Sequence, residues 1–183
     1  MTTTTIDAAD ELVERFYSSG WMLSWESQQK SGPGGRREWP WLLADVISKF
    51  VAATAGQVIE LADATVRDEK QVEFIVVTSE VVAFLSVDIE NEIPHIAPSL
   101  RLIPRSSLRE IKIVKGVNLG GPKWSHRESE GVVIEVDFGV EDIKTLPLNP
   151  DDVRQVRFEK EGTPPVHADL EKLLPGLLRD LNR

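Results

Sequence analysis

Among the side chains suited to metal binding or proton transfer, the three histidines, His95, His126 and His167, are the first candidates. Metal binding, or general acid–base work, needs such groups to converge with carboxylates. Each histidine sits in a loop-like stretch, beside Pro94, Ser125 and Val166, and no two share a helical or strand spacing that would bring them to one face. They read as solvated loop histidines, and no metal site is expected. Ser106, Ser107 and Ser125 are the candidate nucleophiles. A nucleophile elbow needs glycines around a serine between a strand and a helix, and none of the three has that setting. Carboxylates are plentiful, but paired acid–base chemistry requires two of them facing each other across a cleft, which spacing alone does not reveal. The chain has no cysteine, which excludes thiolate chemistry, disulfides and Cys-based metal sites. No catalytic residue and no cofactor are expected.

The segment Gly32-Pro33-Gly34-Gly35-Arg36-Arg37 has the makings of an anion-binding nest, since glycines let backbone N–H groups approach closely and the arginines add charge. It lacks the Gly-Lys-Ser/Thr ending of a phosphate-binding loop and follows no clear strand, so a flexible surface loop is the better reading. Four of the five tryptophans, Trp21, Trp25, Trp39 and Trp41, crowd around it. Tryptophan combines a large apolar area with one polar handle and, with arginine, is the type most enriched at interface hot spots. Two or three of these rings are expected to pack helices onto the rest of the fold. Arg36, Arg37, Trp39 and Trp41 are predicted to form a partner-binding patch or a homodimer contact.

The formal net charge is −9. An acidic chain is repelled by phosphate backbones and anionic lipid surfaces, and lysine and arginine do not cluster beyond Arg36-Arg37. The expected partner is therefore a protein, not nucleic acid, membrane or phosphoinositide. The opening residues, Met1 to Asp7, show neither the basic nor the apolar region of a signal peptide, and no apolar run approaches the roughly 20 residues that span a bilayer. A cytoplasmic location is expected.

Positioning these residues falls to elements legible in the pattern. A helix is predicted after Thr5, with Ile6, Ala9, Val13, Phe16 and Tyr17 on one face and Gly20 as terminator. Trp21 to Trp25 reads equally as a short strand or a turn of helix. A second helix follows Trp39-Pro40, with a stripe of Leu43, Val46, Ile47, Phe50 and Val51 and an Asp45–Lys49 pair opposite. Beyond Gly56 the period changes to two. Strands are predicted at Val58 to Ala62, Val72 to Thr78 (buried on both faces), Val81 to Ile89, Leu100 to Ile103, Ile111 to Val114, Val132 to Phe138 and Ile143 to Leu148, with Val153 to Phe158 a last short strand or helical turn. Val81 to Ile89 alternates and reads as half-buried. Thr78-Ser79-Glu80 reads as a hairpin turn. The chain closes on a helix striped by Leu170, Leu173, Leu174, Leu177, Leu178 and Leu181. Pro175 inside that stripe removes a backbone hydrogen bond at a cost of about 3 kcal/mol, so the helix is expected to kink or split near Leu174.

Short strands followed by one amphipathic helix resemble a bacterial pleckstrin-homology-like or GRAM-like domain over about residues 56–183. The stretch Ile103-Pro104-Arg105-Ser106-Ser107-Leu108-Arg109-Glu110-Ile111 resembles the strand–turn–strand segment of those domains, and Val76 to Val82 is similar to one of their hairpins. The resemblance implies an α+β fold: an antiparallel PH-like β-barrel or bent sheet, residues 57–183, plugged by the C-terminal helix, with residues 1–56 a two-helix N-terminal extension outside the family pattern. Phosphoinositide binding does not carry over, because Ala62 to Lys70 supplies only Arg67 and Lys70 beside three carboxylates. The function expected is a non-catalytic cytoplasmic binding or scaffold module acting through protein–protein contacts or self-association. Two rivals are an acidic inhibitor or immunity-type protein masking a basic partner, and a small-molecule-binding protein or enzyme with a deep polar pocket.

Overall fold

The computed structural model describes residues 5–18, 39–54, 57–67, 71–88, 98–115, 132–139, 144–146, 148 and 166–182. Their order is α1 (Thr5–Ser18), α2 (Trp39–Ala53), β1 (Ile59–Arg67), β2 (Gln71–Thr78), β3 (Val81–Asp88), β4 (Arg101–Pro104), a 3-10 turn (Arg105–Ser107), β5 (Glu110–Lys115), β6 (Val133–Asp137), β7 (Lys144–Leu146) and α3 (Val166–Leu181). The fold is α+β. The strands form two antiparallel meanders, β1-β2-β3-β4 and β5-β6-β7. Among the described residues no ladder joins the two sheets, so a closed barrel is not seen.

Both faces of the four-stranded sheet are buried. Ala62, Ala64, Val72, Phe74, Val76, Ala83, Leu85 and Val87 face α1 and α2 in one apolar core. Leu61, Ile75, Val77 and Val82 face the opposite way, into a second core with β6, β7 and α3. β2 accordingly buries seven consecutive residues, as its nearly unbroken apolar run predicts. β3 departs from expectation: Val82 is buried too, because its non-alternate side is covered by the second core and not by water. β1 extends past the predicted Ala62 to Arg67, and a bulge between Ile59 and Leu61 breaks its alternation. That bulge lets Ile59 join the core under α1 and α2, the outer core, while Leu61, two residues on, joins the second, inner core with α3.

The helices follow their apolar stripes, with two corrections. Leu12 and Leu42, absent from the predicted faces, are fully buried, since each lies four residues before a predicted core residue, Phe16 and Val46. The Asp45–Lys49 pair forms at 2.6 Å. The C-terminal helix does not split at Pro175 but runs unbroken from Val166 to Leu181. Pro175 and Glu171 are both exposed, so the carbonyl that loses its partner lies on the watered side of the helix. Leu170, Leu173 and Leu177 are buried against both sheets, Leu174 and Leu181 pack at the margin, and Leu178 is exposed.

The β2–β3 turn is held by one side chain. Thr78 Oγ1 accepts the N–H groups of Glu80 at 3.3 Å and Val81 at 3.1 Å. After β6 the chain reverses at Gly139, whose φ of 69° requires glycine, and its N–H is taken by Asp137 Oδ1 at 2.6 Å. The Arg109 side chain lies directly over that glycine.

Candidate functional site

Of the predicted patch, Trp39 and Trp41 lie in the first turn of α2, on the helical layer that covers the outer face of the sheet. Arg36 and Arg37 fall outside the described residues, as do Trp21, Trp25, Trp124, His95, His126 and Ser125. Ser106 and Ser107 form the 3-10 turn at the corner between the sheets, and His167 falls in the first turn of α3.

The most concentrated polar chemistry among the described residues is instead at that corner. Arg105, between an apolar strand and the next, is 4% exposed. Its Nη1 donates to Glu60 Oε2 at 2.5 Å and to the Thr78 carbonyl at 2.6 Å. Nε donates to Asp180 Oδ2 at 2.9 Å, and Nη2 lies 2.6 Å from the same oxygen. One guanidinium thus ties β1, the β2–β3 hairpin, the corner turn and α3 together, and its planar fork suits that task in a way a lysine ammonium does not. Glu60 reaches it from the β1 bulge. On α3, Gly176 allows the approach: a Cβ there would stand 3.0 Å from Arg105 Nη2.

A buried carboxylate on β1, Asp63, also joins the sheets. Asp63 Oδ1 accepts the Ala64 N–H at 2.8 Å and Oδ2 accepts the Leu148 N–H, just past β7, at 2.7 Å. Next to it on the inner face runs a polar row. Thr65, Glu73 and Ser86 are register partners across β1, β2 and β3, with Thr65 and Glu73 each 4% exposed. A third ionic contact crosses between layers, where Arg15 Nη1 of α1 meets Asp169 Oδ2 of α3 at 2.7 Å.

These groups are arranged to hold structure. Arg105 is enclosed by two carboxylates and a carbonyl, and both oxygens of Asp63 accept backbone N–H groups. On the surface, Lys112 is raised above the ordinary lysine value of 10.5 by its hydrogen bond and charge pairing with Glu135. No grouping of three or more His, Asp or Glu side chains suited to a metal ion occurs among the described residues. Spacing marks none of Arg105, Asp63, Asp169 or Asp180 as functional. The signal for Arg105 is a cation, one of two with Arg109, between two strands, which predicts a surface turn as readily as a buried clasp.

A scan against protein-family models, curated proteins and solved structures finds no match for this chain.

Proposed function

We propose that the chain is a non-catalytic protein-binding or scaffold module of PH-like architecture. The observation that carries this reading is the use of the sheet. One of its faces is covered by α1 and α2, the other by α3 and the second sheet, and the buried Arg105 and Asp63 are engaged within the fold. Recognition is then left to edges, loops and helix surfaces, the mode of a binding module. The four-plus-three meander order with a closing helix supports the PH-like reading, with the sheets pinned to each other by side chains. The partner is a protein or a second copy, not nucleic acid or phosphoinositide, since the net charge of −9 opposes both. No described helix is long and apolar enough to cross a membrane; we place the module in the cytoplasm. Trp39, Trp41, Arg36 and Arg37 are the proposed contact residues.

The test is capture from the native cell extract with the parent and with an Arg36→Ala, Trp39→Ala double variant. A variant that keeps its melting temperature but loses the captured protein, or sediments differently, supports the patch. Unchanged capture and sedimentation remove it.

One observation favours the second reading, a mask for a basic partner. Asp7, Asp10 and Glu14 are exposed along one stripe of α1, opposite the buried Leu12 and Phe16. Under that reading, an Asp10→Lys, Glu14→Lys variant loses the captured protein, and the parent releases it as salt shortens the screening length from about 10 Å to about 3 Å. Capture indifferent to both removes the reading.

A further inference from the structure

The C-terminal helix is held at both ends by arginines from different layers. Asp169, in its first turn, meets Arg15 of α1 at 2.7 Å; Asp180, in its last, meets Arg105 at 2.6 Å. The two carboxylates lie about three helical turns apart, which puts them on one line along the helix. Leu173 and Gly176 fall near the same line, one buried in the inner core and the other against Arg105. α1 and α3 pack on opposite faces of the four-stranded sheet, and both contact β1. The Arg15–Asp169 pair therefore reaches past β1 to connect the two layers.

We infer that α1, α3 and the Arg105 corner open as one cooperative unit, so that releasing either helix loosens the other. The physical reason is the position of the charges. Withdrawing α3 leaves Arg105 buried beside Glu60 with half of its carboxylate complement gone, and takes from Arg15 the partner that is only 12% exposed. Withdrawing α1 removes Arg15 from Asp169 at the end of α3 where the helix would otherwise start to fray. Coupling of this kind is reciprocal by necessity. It makes α3 a sensor of whatever happens to α1 across the thickness of the sheet.

Native-state hydrogen exchange on the full chain tests this, with amides in β2 reporting global unfolding. In the parent, amides in α1 and α3 should converge on a shared opening, with the same denaturant slope, below the protection of β2. Asp180→Asn, at the opposite end of α3 from the Arg15–Asp169 pair, should speed exchange in α1 and α3 by the same factor, on the order of a hundredfold. Asp169→Asn should do the same from the other end if the first variant fails to fold. Faster exchange in α3 alone, distinct slopes for the two helices in the parent, or equal protection in α1, α3 and β2 would each overturn the inference.

Discussion

The two faces of one sheet are built by opposite means. The outer face is a plain apolar interface, in which Phe16 stacks edge-on to Phe50 and Phe74 at centroid distances of 5.7 and 5.3 Å. The inner face mixes Leu61, Ile75, Val77 and Val82 with Asp63, Thr65, Glu73 and the neighbouring Arg105. Apolar packing is non-directional and tolerates substitution when volume is kept. A buried ionic group is different, because removing one partner strands the other in a low-dielectric setting. The outer layer thus specifies that the helices dock, whereas the inner one specifies where each element must sit.

The largest expected effect comes from breaking the inner clasp. Arg105→Met should destabilise by about 3–5 kcal/mol, because Asp180 and the carbonyl of Thr78 lose their donor while staying largely buried. Urea unfolding with an unchanged slope is the measurement, and a loss below about 1 kcal/mol would erase the distinction between the faces. Pairing that change with Asp180→Leu should recover part of the loss, since α3 then no longer turns a carboxylate toward the missing guanidinium.

The matching change on the outer face is Phe74→Leu. It should cost about 1–2 kcal/mol, the sum of a modest loss of volume and the edge-on contact with Phe16. A cost equal to that of Arg105→Met would mean that the outer core is as particular as the inner.

Gly176→Ala probes the Arg105 clasp with a single methyl group. In an exposed helix the change gains about 1 kcal/mol. Here the new Cβ would press on an arginine fixed by four contacts, so the gain should vanish or reverse. A melting temperature clearly above the parent's would show that Arg105 is free to give way.

The smallest effect belongs to the surface pair Lys112–Glu135, which lies outside both cores. Because pairing raises the lysine above 10.5, its contribution is fully present below that pH and is lost as pH rises through the raised value. The difference in unfolding midpoint between the parent and Lys112→Gln should therefore shrink at strongly alkaline pH. A difference that grows there would reverse the assigned sign.

Much of the fold was legible in residue order, because local periodicity records which side of an element is dry. The Val72–Thr78 run, the Thr78-Ser79-Glu80 turn, the stripe from Val46 to Phe50 and the leucines of α3 each announce their element without reference to any other. The double burial of β3 and the full burial of Leu12 were not legible, since both depend on what a second layer covers. Likewise Pro175 reads locally as a helix breaker, and only its position on the exposed side of α3 explains why the helix continues. Of the predicted contact patch, the structure adds the placement of Trp39 and Trp41 at the start of α2.

Residue order was enough to place the described helices and strands, to exclude cysteine chemistry and to set the acidic balance, because these rest on composition and on patterns a few residues long. Tertiary structure alone decided the roles of the buried charges. Arg105 and Asp180 lie 75 positions apart, and Arg15 and Asp169 lie 154 apart. No local pattern relates residues so distant. Their pairing arises when the two meanders and three helices pack, and it follows from the cost of leaving a charge buried without its complement.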